Sequence, residues 1–285
     1  MNRKKQDEAW STIIKADDKL FRLNIRELAE SKELIEVLVR RDFVTVYKQT
    51  ILGPLWFIIQ PLITTVMYTF VFGNIAKIST SGIPQPLFYF SGTMVWTFFS
   101  NIMLKCSDTF IANAQLFGKI YFPRLAVPIS YVATNLITLG IQFAVFFVIL
   151  IVYIAQGFTF NFSPLMALIP ILIIQAAMFA VGVGITISSL TTKYRDLRNL
   201  VNFGMTLWMY VTPVVYPMDQ VPARFVGLYR INPMAQIIEA FRYCLLGGGS
   251  FSWSEWGISF IVCLVIFFFG IVIFNRNARN FVDVI

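Results

Sequence analysis

Long apolar runs broken by short charged segments dominate this chain. A bilayer core needs about 20 mostly apolar residues at about 1.5 Å of helix rise each. Stretches free of Asp, Glu, Lys and Arg then mark six spans, at 53–72, 87–104, 125–155, 164–190, 200–215 and 256–274. Residues 125–192 carry no charge, and 68 residues are too many for one helix, so the turn residues Gly157, Asn161 and Pro164 place a break between the third and fourth spans. Ahead of the first span, Leu28, Leu34, Ile35, Leu38 and Val39 fall on one side of a helical wheel, with Asn24 three residues before Glu27 as in a capping box. That segment predicts an amphipathic helix, which Glu36 and Arg40 support as an i,i+4 pair and which brings Arg40 and Arg41 to the headgroup level. Between the fifth and sixth spans, Pro217, Pro222, Pro233 and the run Gly247-Gly248-Gly249 interrupt a stretch too short for two more crossings. Helical fragments that enter one leaflet and return fit it, because irregular backbone at membrane depth must be buried in protein or face water.

The pattern therefore predicts an all-α integral membrane protein: six transmembrane helices, an N-terminal amphipathic interface helix, and a re-entrant helical segment between spans 5 and 6. Its parts are an N-terminal cytoplasmic extension (1–23), the interfacial helix (24–52), the six-span domain (53–275) and a cytoplasmic tail (276–285). Composition agrees, with 57% apolar and 13% charged residues among 285 and a mean hydropathy of +0.71. Nineteen of the 23 Lys and Arg residues fall on one side of the predicted topology, leaving Lys77, Arg224, Arg230 and Arg242 on the other. This places both termini in the cytoplasm. It also explains the net charge of +8 as topology and attraction to anionic lipid, not as a nucleic-acid surface. The first 20 residues are charged and hold no apolar secretory signal core.

Several chemistries are excluded. With no histidine there is no Ser-His-Asp unit and no imidazole metal site, and Cys106, Cys244 and Cys263 form no CxxC pair and read as small apolar residues. The only Gly-Lys pair, Gly118-Lys119, is followed by Ile120, so no nucleotide-binding P-loop is present. The predicted spans contain no ionisable group of the kind an ion-coupled carrier needs; their polar side chains are the neutral Gln60, Asn135, Gln142, Gln175 and Asn202. A transporter of this composition takes its energy from a separate ATPase, and an uncoupled channel or scramblase needs none. Ala176, Ala180, Gly184 and Ser188 form a small-residue stripe that favours close helix packing inside the subunit over a dimer seam. Among 29 Phe, 11 Tyr and 6 Trp, most are lipid or interface contacts, and Phe57, Tyr68, Trp208 and Tyr210 are the candidates for an aromatic path along which sugar rings stack. In the outer segment, Asp219, Arg224, Arg230, Glu239, Arg242 and Glu255 suit an outer gate (Glu239 with Arg242), interfacial anchors, or the acid, base and phosphate clamp of an enzyme.

Five segments carry a resemblance: RRDFVTVYKQTILGPLWFIIQPL, FSGTMVWTFFSNIM, SDTFIANAQLFGKIYFPRLAVPIS, KYRDLRN and INPMAQIIEAFRYCLLGG. In order and spacing, over about residues 30–275, they resemble the membrane (permease) subunits of bacterial ABC exporters of polysaccharides and teichoic acids. The resemblance implies a homodimer in the bacterial inner membrane with two ATPase subunits, exporting a polyprenyl-pyrophosphate-linked glycan, with O-antigen ahead of teichoic acid or capsule. No cofactor is implied in this chain; ATP and Mg belong to the partner. It further implies that Asp108, Asn113, Lys119, Phe122, Pro123 and Arg124 form a coupling loop contacting the ATPase, and that Arg40, Arg41 and Lys48 meet lipid pyrophosphate or headgroups. A membrane-embedded enzyme using Asp219, Glu239 and Glu255 is the competing reading.

Overall fold

The computed structural model describes residues 28, 30–48, 50–119, 122–160, 162–191, 194, 196–249 and 251–280, and among them every regular element is helical. The extension 1–23, the cap candidate Asn24, the turn residue Asn161 and the last residues of the tail lie outside the described residues.

The amphipathic segment forms α1 (Lys32–Tyr47), with Leu38 buried against α6. Five stretches are long and apolar enough to cross a membrane. The first, Gly53–Ile75, is a 3-10 turn with Pro54 at its start, then α2 (Trp56–Tyr68), then a π-helical run Thr69–Ile75. The next are α3 (Gln85–Ser107) and, after two short helices α4 (Thr109–Ala112) and α5 (Ala114–Lys119), α6 (Ala126–Ala155). The uncharged run does break after α6. Gly157 takes a left-handed φ of 99°, Ser163 accepts a hydrogen bond from the Leu165 amide, and Pro164 starts a 3-10 turn leading into α7 (Ile169–Thr191).

The fifth predicted span differs. It forms α8 (Leu197–Val211), 15 residues or about 22 Å of helix, which starts three residues and ends four residues before the run 200–215. Thr212 precedes Pro213, whose ring disfavours helical backbone at the residue before it, and Thr212 is extended at φ −106°, ψ 140°. An apolar run counted through its proline places the end of the helix too late. The outer segment contains α9 (Ala223–Ile231) and α10 (Pro233–Leu246), the second ended by Gly247 in the left-handed conformation, and α11 (Trp253–Asn280) closes the chain.

The core is built on α3, α7 and α11, with α10 packed against all three. Small residues set the approach. A Cβ on Gly182 would lie 2.7 Å from the Phe267 Cα, one on Gly270 would collide with the Gly182 carbonyl, and one on Gly184 would meet the Met103 carbonyl at 2.7 Å. Ala176, Ala180, Gly184 and Ser188 are all buried in this way, so the stripe is spent on packing within the subunit. Gln175, fully buried, joins the same helices by donating to Ser259 Oγ at 3.0 Å and accepting from Trp256 Nε1 at 3.0 Å. α2, the π-helical run after it and α8, by contrast, expose Ile63, Val66, Phe70, Leu200, Phe203 and Leu207.

Candidate functional site

The sequence of 108–124 favours short helical turns, and the structure locks their first half onto four long helices. Asp108 Oδ2 accepts from Arg198 Nε of α8 at 2.9 Å, and the Phe110 amide donates to Ser188 Oγ of α7 at 3.3 Å. Thr191 Oγ1 donates to the Ser107 carbonyl at 3.0 Å, and the Phe110 ring stacks on Phe274 of α11 with centroids 4.6 Å apart. Asn113, buried, donates from Nδ2 to the Thr109 carbonyl at 3.1 Å and to the Tyr131 hydroxyl of α6 at 2.9 Å. The second half is tied by rings: Phe122 stacks on Phe117 at 5.5 Å, and the Arg124 guanidinium lies 6.0 Å from the Phe117 centroid. Pro123 sits between them at the entry to α6, and Lys119 ends α5. Burial, partly offset by Arg198, raises the Asp108 carboxyl above its ordinary value of 3.8. A push on this loop reaches α6, α7, α8 and α11 through directional contacts.

The three basic candidates near α1 do not converge. Arg40 and Arg41 are neighbours about 100° apart on one helix, and Arg40 lines an apolar groove against Ala133 and Ile137 of α6. Arg41 instead faces a cavity at the foot of α3 and pairs with Asp42 Oδ1 at 2.8 Å, which neutralises much of its charge. Lys48 is exposed beyond the end of α1.

Two adjoining cavities hold residues that apolar-run counting missed. The inner one, about 300 Å³, lies between α2, α3 and α6. From α3 it receives Thr93, Thr97, Asn101 and Lys105, a stripe spaced by four. From α6 it receives Thr134, Asn135, Thr138 and Gln142, and from α2 Gln60 and Thr64. Three of the five amides predicted at membrane depth thus meet in one groove, while Gln175 is a core bond and Asn202 is exposed on α8. The outer one, about 430 Å³, is lined by Arg41, Asp42, Thr45, Lys105, Asp108 and Asn113. Lys105 lines both. It sits on a last turn of α3 that the 87–104 boundary cut off, and its signal in the sequence was the polar residue every fourth position from Thr93.

The aromatic candidates are dispersed. Phe57 lines the inner cavity and stacks on Phe43 at 5.3 Å. Tyr68 packs edge-on to Tyr89, its hydroxyl 3.8 Å from Met209 Sδ. Trp208 is set in a cluster with Trp96, Phe99 and Phe179 and donates from Nε1 to Asn232 Oδ1 at 3.3 Å; Tyr210 is exposed. No single wall holds all four.

Glu239 and Arg242 lie in α10, 4% and 1% exposed, with Arg242 Nη1 3.3 Å from Glu239 Oε1. Arg242 also donates to the Pro213 carbonyl at 2.6 Å and to the Val214 carbonyl, and its guanidinium lies 3.8 Å from the Phe88 ring centroid. The pair thus braces the chain just after α8. Asp219 accepts from Ser81 Oγ at 3.1 Å and Glu255 pairs with Arg230 at 2.9 Å. The three carboxylates of the enzyme reading are each engaged by a different partner.

The sequence profile of the family described as ABC-2 type transporter matches residues 33–246, a stretch running from α1 to the end of α10. The chain belongs to the ABC-2 type transporter family. It is a multi-pass membrane protein of that family of transporters. Among curated relatives, the O-antigen export system permease protein RfbA of Klebsiella pneumoniae is 29% identical over 257 residues, 89% of this chain and 95% of that protein. RfbA of Myxococcus xanthus is 27% identical, over 76% of this chain and 82% of that protein. The polysialic acid transport protein KpsM of Escherichia coli is 22% identical, over 87% of this chain and 95% of that protein. In this ABC-2 chain the matched region includes the loop 108–124, both cavities and the Glu239–Arg242 brace.

Proposed function

We propose that this chain is the permease subunit of an ATP-driven exporter that moves a polyprenyl-pyrophosphate-linked polysaccharide, of O-antigen type, across the bacterial inner membrane, with both termini cytoplasmic. The observation that carries it is a loop bonded to α6, α7, α8 and α11 and set among candidate spans whose most apolar stretches carry at most two charged residues each. Work enters through the loop from an ATPase subunit. The relatives named for O-antigen export are matched over 95% and 82% of their own length and support the substrate class. The subunit acts as a homodimer with two ATPase subunits. Gln60 and Asn202 are exposed at membrane depth on α2 and α8, and neutral amides left in hydrocarbon are costly, so a second copy or a water-filled conduit covers that side. Counting α8, continued past Pro213, as a crossing gives six spans, with α9 and α10 as the re-entrant pair.

Copurification of the tagged chain from its native membrane, with ATPase activity measured for wild type and for Lys119→Glu and Arg124→Glu, tests this reading. An associated ATPase whose coupling to export falls in those variants supports it. A chain that purifies with no ATPase subunit after gentle crosslinking refutes it and returns the enzyme reading, for which Asp219→Asn and Glu239→Gln must abolish turnover.

A further inference from the structure

Polar groups at membrane depth ordinarily bond to one another, because hydrocarbon offers them no partner. The groove between α2, α3 and α6 departs from this. Gln142 is only 4% exposed, yet the side chains of Gln142, Gln60 and Asn101 make no hydrogen bond among the described residues, whereas Asn135 donates to the Tyr131 carbonyl at 2.8 Å; all four line the groove. Amides and hydroxyls that both donate and accept, without charge, are the groups that bind sugar hydroxyls, and about 300 Å³ is at the lower end of small-ligand sites.

At the junction with the outer cavity stands Lys105. The charges facing it are accounted for: Asp42 is held by Arg41 at 2.8 Å and Asp108 by Arg198 at 2.9 Å. Lys105 has no carboxylate within 4.0 Å among the described residues, and its ammonium lies 5.7 Å from the Tyr131 ring centroid. The junction therefore carries one uncompensated positive charge, partly buried, with a neutral hydrogen-bonding groove beyond it.

We propose that Lys105 binds the phosphate of a lipid-linked sugar and that the groove of Gln60, Asn101, Asn135 and Gln142 receives the first sugar. This rests on the export reading above and adds to it a site and an order: the anionic headgroup meets the lysine where the cavities join, and the sugar next to the phosphate lodges in the groove before the rest of the glycan moves.

The test uses the full chain copurified with its ATPase partner in phosphatidylcholine nanodiscs. Trp56 lines the groove, so binding is read as the tryptophan fluorescence change that Trp56→Phe removes. The probes are polyprenyl pyrophosphate, the same lipid bearing one hexose, inorganic pyrophosphate and phosphatidylglycerol. Expected are saturable changes with both polyprenyl lipids, weakened about tenfold or more by Lys105→Gln, the scale of one charged hydrogen bond. Lys105→Arg retains binding, and Gln142→Leu weakens only the hexose-bearing lipid. An equal response to phosphatidylglycerol or to inorganic pyrophosphate overturns the proposal in favour of a general anion site. So does unchanged binding in Lys105→Gln. If that variant also exports glycan at the wild-type rate while the ATPase still copurifies, the site assignment fails and the export function stands; loss of the ATPase from the wild-type preparation fails the function itself.

Discussion

Arg242→Met is the substitution whose consequence the structure fixes most closely. The guanidinium is 1% exposed, bonds the carbonyls of Pro213 and Val214, pairs with Glu239 at 3.3 Å and covers the Phe88 ring. Methionine fills much of the volume but leaves Glu239 buried without its cation and two carbonyls without their donor. Removing one member of a buried ion pair costs about 3–5 kcal/mol. For a chain of this size roughly 2–4 °C accompanies each kcal/mol, so the melting temperature falls by about 10 °C. The assay is the temperature at which half of the detergent-purified protein is lost from its size-exclusion peak. Glu239→Gln combined with Arg242→Met removes the buried carboxylate together with its cation and recovers part of the loss, a coupling of about 1–3 kcal/mol. A single variant that melts within about 2 °C of wild type refutes the brace, since that is the range of an inconsequential surface change. If it melts normally but export stops, the pair acts as a gate.

Gly270→Ala places a methyl against the Gly182 carbonyl at the α7–α11 contact, where backbone must separate to admit it. A loss of about 1–3 kcal/mol follows, read as reduced yield of folded protein, and Gly257→Ala on the same helix, where a Cβ meets nothing within 4 Å, is the neutral control. Asp108 gives a pH dependence. Its folded-state value is raised, so its contribution to stability is complete below the unfolded value of 3.8 and is lost as pH rises through the folded value. Asp108→Asn, which keeps size while removing the buried charge, then melts higher relative to wild type at pH 8 than at a pH near the unfolded value of 3.8, with little lost at the mostly exposed Arg198; the opposite trend would exclude the burial argument.

Charge-free apolar runs locate the long helices well, because each crossing must present about 20 consecutive residues to the protein core or to lipid and that demand is written locally. They set the end of α8 too late, because one proline and not hydropathy ends the helix: Thr212 leaves helical backbone before Pro213, and the carbonyls of Pro213 and Val214 are taken up by Arg242, 29 and 28 residues downstream. That capture also explains why a charged residue is tolerated in the core, which no local reading of RYCLL indicates. Asn232 completes the junction, accepting from Trp208 and from the Met234 amide while donating to Thr212 Oγ1 at 3.0 Å. The site residues followed the same division. Asp108 and Asn113 stand in a charged loop visible in the sequence, but their partners Arg198 and Tyr131 come from other helices. Ending a span at the last apolar residue puts Lys105 in the loop that follows, although the polar stripe from Thr93 is readable in the sequence. A lysine four residues beyond a membrane-depth amide reads locally as a topogenic charge, and only the meeting of α3 with α2 and α6 turns it into the mouth of a polar groove. The chain's function thus resides less in residues that are unusual by type than in ordinary ones whose partners the helix packing supplies.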